Sequence, residues 1–442
     1  MHVLSWGGIG GEIASLARPA FSCEIRERLS RVARGERTKQ LIIGNLRSYG
    51  DEVICPDGNY LQTTSCDRIL QVDTQADTVT AESGVRLDVL QNRVASFGYM
   101  LPVTPGTSYL TLGGAIANDV HGKNHHRAGT FGCFVLRLEL VRTSGEVLLC
   151  SPSENPEFFA GTIGGMGLTG AITWAMIQLR RVDSPFLRVT SRRFRDLDEF
   201  FNLELESKDQ HEYSVAWIDC AAKGRSLGRG IYSVADHAAS AAHPRGEENR
   251  GTRGAPNVPF YMPLSPINRV TLDAMNSLYY RLHRTGAISV HYANWLYPLD
   301  AIGSWNRLYG RRGFFQFQCA VPLSEARSSI AEMLKTIAAA GQGSFLAVLK
   351  NFGDKASPGL MSFPMAGATL AVDFPNRGKA TRELLLELYR ITAGARGRLY
   401  PAKDACSPPD SLEMGYSNFA RFKELLDPGL ESRMSRRLAL TE

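Results

Sequence analysis

The sequence predicts an α+β protein of two domains. Its 442 residues are too many for one ordinary domain and comfortable for two. Short β-like runs alternate with turns and isolated helical segments, without the repeated strand–helix–strand order of a doubly wound sheet. Near residue 185 the texture changes, from glycine-rich loops to longer helical and strand-like stretches.

In chain order, "KQLIIGN", "RILQVD", "TVTAESG", "FVLRLELVR", "EVLLCS" and "GAITWAMIQL" have strand-like composition. "RLDVLQNRVASFG" spaces its apolar residues as a helix does and stops at Gly98. "FRDLDEFFNLELESKDQHEYSVAWIDC" predicts a helix followed by a strand. Residues 236–258, "DHAASAAHPRGEENRGTRGAPNV", are polar and suit a mobile loop or lid. Strand and helix signals resume in "GAISVHYANWLYPLD", "GFFQFQCAVP", "ARSSIAEMLKTIAAAG", "SFLAVLKNFG" and "ATLAVDFP". "KATRELLLELYRITAGARG" is an amphipathic helix, and the tail from "LYPAKDACSPPD" returns to loops and short helices.

The composition is that of a globular protein, 44% hydrophobic and 21% charged, so a large core is available. The net charge of +6 is spread along the chain with no aromatic-interleaved basic run, which argues against nucleic acid as the partner. A mildly basic protein suits an anionic substrate or an acidic membrane surface. The N-terminus lacks the charged and apolar regions of a signal peptide, and no run of apolar residues is long enough to span a bilayer. The eight cysteines form no CxxC pair, as expected of free thiols in a reducing compartment, and a cytoplasmic location follows as the expectation.

Chemistry is concentrated in small-residue loops. "GGMGLTG" holds a formal GxGxxG at Gly165, Gly167 and Gly170, but it follows a helix-like run and leads into a strand. That order is the reverse of a dinucleotide fingerprint, so a nicotinamide site is rejected here. "GNLRSYGD" (44–51) and "TPGTSYLTLGGAIAND" (104–119) are loops whose backbone N–H groups can approach a pyrophosphate unobstructed. "NDVHGKNHH" (118–126) carries three histidines. It makes a poor metal site: Gly122 disfavours the helix that would align His121 with His125, Lys123 sets a cation beside them, and no cysteine or carboxylate pair completes the set.

Taken together, "RSYGD", "LPVTPGT", "TLGGAIANDVHGKNHHRAGTFG", "GGMGLTG", "GFFQFQ", "SFLAVLKNFG", "VDFP" and "LYPAKD" resemble the vanillyl-alcohol-oxidase superfamily of FAD-linked oxidoreductases. Within it they resemble the flavoenzymes that oxidise the 2′-hydroxyl of polyprenylphosphoryl-ribose. The resemblance runs from about residue 40 to the "MSRRLAL" near the end. It implies a vanillyl-alcohol-oxidase-type fold: an FAD-binding domain at 1–185, completed by 399–442, around a substrate domain at 186–398 with an antiparallel sheet.

The resemblance further implies non-covalent FAD against Asn45, Arg47, Ser48, Tyr49, Gly50 and Asp51, then Gly106, Thr107 and Ser108, then Thr111, Gly113, Gly114, Asn118, His121 and Lys123. Gly170, Ile172 and Tyr400 match further flavin positions. Tyr49 stands where many superfamily members bond a histidine covalently to the flavin. Lys403 matches the lysine that reaches flavin and substrate. His121 is the second catalytic candidate, either polarising or deprotonating the hydroxyl or only holding its loop. Lys123 supplies charge for the flavin or a substrate phosphate. Gln316 and Gln318 share one face of a strand and could both meet the sugar. Trp217, Tyr297, Lys350 and Asp373 complete the substrate set. No metal is implied.

The implied reaction yields a 2′-keto sugar, the first half of an epimerisation to the arabinose form. A separate NAD(P)H-dependent short-chain reductase would complete it, and a lipid-linked sugar substrate implies peripheral contact with the inner membrane surface. Leu46, Ala347, Ala371, Thr369 and Leu296 depart from the family pattern. The changes at Ala347, Thr369 and Leu296, which remove polar substrate contacts of the family, keep open an alternative: an FAD-dependent oxidase of a soluble sugar, alditol or nucleoside-like alcohol using O2. A non-redox binding protein that keeps the fold is disfavoured by Lys403, His121 and the intact glycine loops.

Overall fold

The computed structural model describes residues 2–35, 38–207, 209–238, 256–263 and 265–441. Its antiparallel sheets, packed on by helices, give the α+β class that the sequence predicts. A five-stranded antiparallel sheet runs in the order Val147–Cys150, Val135–Val141, Ala171–Gln178, Thr78–Glu82, Ile69–Asp73. Its apolar face, with Leu138, Leu140, Ala175 and Ile177 fully buried, packs against the helices Leu87–Ala95 and Leu112–Ala117. A small parallel sheet of Ser15–Ala17, Asn59–Gln62 and Leu41–Ile43 delivers the chain into the loop at 44–52.

An eight-stranded antiparallel sheet takes its strands from residues 186–399. Its order is Gly286–His291, Phe186–Phe194, Gly230–His237, Tyr213–Ile218, Ala347–Phe352, Gly367–Pro375, Phe314–Val321, Arg398–Leu399. The period-two alternation of a strand sorts its side chains onto two faces. Phe315, Phe317, Leu349, Leu370 and Val372 lie under the helices Leu197–Ser207, Leu323–Ala340 and Lys379–Gly394. Gln316, Gln318, Val348, Lys350, Ala371 and Asp373 point the other way, into a cavity. Register sets Gln316 opposite Asp373 and Gln318 opposite Ala371.

Every strand quoted above from the first 180 residues forms. Four elements of eight or more residues escape the pattern. The helix Ser22–Ala33 buries only Ile25 and Leu29 among five charged residues, too thin a stripe to stand out. The helix Arg269–Leu282 leaves Val270, Met275, Leu278, Tyr279 and Leu282 exposed, so its apolar residues do not mark its buried side. Phe186–Phe194 is interrupted by arginines, and Gly230–His237 is rich in small residues. Most of the expected loop at 236–258 (residues 239–255) lies outside the described residues. Among the described residues no helix is long and apolar enough to cross a membrane.

Candidate functional site

The cavity, about 610 Å³, runs from the glycine-rich loops to the polar face of the large sheet. That is the size range of cofactor and ligand pockets. Its first wall is the loop after Leu41–Ile43. Leu46 adopts φ +53°, the left-handed region that glycine enters without cost, so the backbone turn survives although the residue differs from the family's glycine. Arg47 lies 4.3 Å from the ring centroid of Trp6. Burial holds the Arg47 pKa below the ordinary value, and its Nε has no partner. Ser83 Oγ, Asn118 Oδ1 and Glu52 Oε2 are likewise buried and unpartnered. A cationic guanidinium and several buried polar atoms lacking partners fit a bound dinucleotide with a diphosphate and ribityl hydroxyls.

The second wall comes from the far end of the chain. Arg398–Leu399 pairs with Ala320 and Cys319, and Tyr400 N–H donates to Gln318 O at 3.0 Å. Tyr49 N–H donates to Ala402 O at 3.1 Å. These bonds bring Lys403 over Tyr49, its Nζ 3.5 Å from the ring centroid. Burial lowers the Lys403 pKa to about 7, against the opposing pull of the Asp373 and Glu52 charges. Burial raises Asp373 to about 7, and raises Glu52 to about 7 as well. Gln316 Nε2 donates to Asp373 Oδ1 at 2.5 Å. Lysine and carboxylates thus hold protons near neutrality in a space shielded from water.

His121 sits among Phe352, Phe363 and Tyr400. Burial lowers its pKa well below the ordinary value, so the ring is neutral. Gln318 Nε2 lies 3.1 Å from His121 Nε2 and 3.3 Å from Thr369 Oγ1. With the amide donating to both, His121 Nε2 is an occupied acceptor and its proton rests on Nδ1, which has no partner. Lys123 Nζ donates to Trp295 O and Leu296 O, each at 2.8 Å, which fastens the end of the helix Tyr292–Leu296 over the cavity. Burial lowers Lys123 to about 7 and Lys350 to about 8; Lys350 Nζ donates to Gly122 O at 3.2 Å. Trp217 Nε1–H donates to Phe345 O, and its ring meets Tyr279 edge-on.

Asn45, Ser48, Thr107, Thr111, Gly106, Gly170 and Ile172 also line the cavity. Four predicted residues do not. Gly50 lies behind the wall, where a Cβ would come 1.7 Å from Asp404 O. Asp51 turns away to Arg437, with Nε–Oδ2 and Nη2–Oδ1 each 2.9 Å. Ser108 spends its N–H and hydroxyl on Asp300 Oδ2, both 2.7 Å. Tyr297 is a correction to the substrate set: it packs with Met100, Leu187, Val189 and Tyr213, and its neighbours Trp295, Asn294 and Pro298 line the cavity instead. Conversely, the sequence reading stopped one residue short of Glu52, a cavity-lining carboxylate. It also missed Ser191 and Ser233, hydrogen-bonded to each other at 2.8 Å on strands that went unpredicted. For Glu52 a signal existed, since it directly follows the "RSYGD" loop.

His125 and His126 serve structure: Gly353 N–H donates to His125 Nδ1 at 3.2 Å, and His126 Nε2 lies 3.1 Å from His211 O.

Gly50 gives a steric prediction. Its φ is −86°, which any residue tolerates, so Gly50→Ala tests the Asp404 contact alone. The expected cost is about 3 kcal/mol, at the upper end for overpacking because the clash is with backbone. Gly394→Ala, at a helical glycine with open space around it, is expected to be neutral or stabilising. Thermal melts of the two variants check the pair, and equal melting temperatures would refute the contact's importance.

Comparison with known proteins is consistent with this geometry. Residues 15–151 match the FAD binding domain family. The chain is 32% identical over 451 residues to a decaprenylphosphoryl-β-D-ribose oxidase of Mycolicibacterium smegmatis, covering 99% of this chain and 97% of the relative. It is 32% identical over 375 residues to an uncharacterised protein of Streptomyces coelicolor, covering 80% of this chain and all of that protein. Mouse L-gulonolactone oxidase is 31% identical over 163 residues, 36% of either chain.

Proposed function

Because the chain belongs to the decaprenylphosphoryl-β-D-ribose oxidase family of FAD-linked oxidoreductases, we propose that it oxidises the 2′-hydroxyl of a polyprenylphosphoryl-β-D-ribose to the 2′-keto sugar. The chain is an FAD-dependent oxidoreductase. The reading is that it performs the first half of an epimerisation to the arabinose form. A separate NAD(P)H-dependent short-chain reductase completes it, and the protein works from the cytoplasmic side at the inner membrane surface. Residues 1–185 with 399–442 make the FAD-binding domain and 186–398 the substrate domain.

The observation that carries this reading is Lys403, held over Tyr49 with the Asp373 and Glu52 carboxylates acting on it, in one cavity with Gln316 and Gln318. FAD supplies the acceptor for the hydride that leaves the carbinol carbon. The proton of the same hydroxyl passes to Lys403, whose amine burial keeps partly neutral at physiological pH. Gln316 and Gln318 orient the sugar, with Gln316 fixed by Asp373 and Gln318 by His121 and Thr369. His121 is therefore a positioning residue. Arg47 takes the diphosphate, and Lys123 and Lys350 add positive charge around the cofactor and the substrate phosphate.

Anaerobic titration with polyprenylphosphoryl-ribose is expected to bleach the flavin absorbance, with free sugars inert. The alternative reading is a soluble sugar, alditol or nucleoside-like alcohol oxidised with O2. Bleaching by such alcohols, with no response to the lipid-linked sugar, would put that reading in place of ours. Tyr49 offers no ring nitrogen for a flavin bond, so acid precipitation is expected to release all the FAD into the supernatant. Yellow protein in the pellet would contradict non-covalent binding.

A further inference from the structure

The cavity's exposed lining residues, Tyr279, Arg284, Ile288, Asn294 and Pro298, all fall between 279 and 298 and mark a mouth. Beside that mouth the helix Arg269–Leu282 presents Met275, Leu278 and Leu282 at spacings of three and four, which puts them on one face. They are exposed by 51%, 52% and 69%, and Ile288 on the neighbouring edge strand by 52%. Isolated exposed apolar residues need no explanation, but a group of this size at a pocket mouth does. Its C-terminal side carries positive charge. Between Asp273 and Asp300 the chain has Arg281, His283, Arg284 and His291 and no carboxylate side chain. Arg281 and Arg284 form no ion pair among the described residues.

We propose that this face docks on an anionic lipid bilayer, with Leu278 and Leu282 entering the headgroup boundary, Arg281 and Arg284 facing lipid phosphates, and the cavity mouth held against the membrane. An apolar face flanked by arginines is the composition that lies in a bilayer interface. Anionic lipid attracts such a cluster within a Debye length. A second copy of this chain is disfavoured as the occupant. Two-fold pairing would set the arginines of each face against those of the other. The proposal deepens the functional reading and rests on it: a polyprenyl chain whose sugar sits in the cavity leaves through this mouth, and docking lets the chain stay in the membrane during turnover.

The test is co-sedimentation of the FAD-loaded full chain with vesicles of equimolar phosphatidylcholine and phosphatidylglycerol. The wild type is expected in the pellet. Leu278→Asp/Leu282→Asp is expected to bind at least about tenfold more weakly, and Arg281→Gln about fivefold more weakly, with that loss absent on phosphatidylcholine alone. These side chains lie outside the cavity wall, so the variants are expected to keep their flavin spectrum and to be bleached normally by substrate dispersed in detergent. Wild type left in the supernatant, or a double variant that pellets fully, overturns the proposal. So does a double variant that binds vesicles normally but elutes as a monomer where the wild type elutes as a dimer. Vesicle binding without bleaching by the lipid-linked sugar removes the substrate assignment and leaves the docking face. Bleaching without vesicle binding does the reverse.

Discussion

Lys403→Met is expected to slow flavin reduction by substrate about 10²–10⁴-fold, the usual contribution of a positioned proton acceptor, while FAD stays bound. Lys403→Arg separates the two properties of the side chain. Arginine keeps the positive charge but stays protonated, so it is expected to be nearly as slow as methionine. In the wild type the amine must lose its proton to accept another. Burial sets its pKa to about 7, so the rate is expected to rise as pH passes upward through that value. The Glu52 charge raises the Lys403 pKa, so Glu52→Gln is expected to move the midpoint of that rise to lower pH. Rapid-mixing measurements of flavin bleaching across pH check all three. A Lys403→Arg enzyme as fast as the wild type would sink the assignment of Lys403 as proton acceptor.

Arg437→Ala is expected to destabilise the fold by about 3–5 kcal/mol, as for removal of one partner from a buried ion pair. Arg437 Nη2 lies 2.9 Å from both Asp51 Oδ1 and Asp404 Oδ2, and Nη1–H donates to Ser407 O at 2.8 Å. The two carboxylates are 5% and 11% exposed, so both would be stranded. Burial alone would push the Asp404 pKa up, but the Arg437 charge and the Ser407 hydroxyl outweigh it and hold it below the usual carboxylate range. A depressed folded pKa stabilises above the unfolded value of about 3.9 and is lost as pH falls through the folded one. The deficit of the variant is therefore expected to be largest near neutrality and to shrink in acid. Urea midpoints at several pH values check this; a deficit that grew toward low pH would contradict it.

How far the site was legible follows from where its residues get their meaning. The glycine loops were legible because small residues in sequence directly mark where backbone is approached closely. Gln316 and Gln318 were legible because strand alternation is local. Tyr297 misled because a one-residue choice between neighbours is made by packing: Trp295 covers Lys123 on the cavity side, while Tyr297 falls into the apolar cluster around Leu187. Ser191 and Ser233 needed strands whose sequences do not alternate cleanly. Arg437, in "SRMSRRLAL", is one of several tail arginines. Nothing local selects it for carboxylates as far away as Asp51, 386 positions earlier.

The joint between the two ends of the chain also sets an order of events. While the protein is being synthesised, the loop at 44–52 and the glycines at 113 and 114 emerge early. Lys403, Tyr400 and Arg437 emerge far later, yet they form the opposite wall and its clasp. A nascent chain that has not yet reached Arg437 therefore has half a pocket, its glycine-rich wall made and the opposite wall still to come. A chain cut before Tyr400 would lack that wall, whatever the quality of the loops that came first.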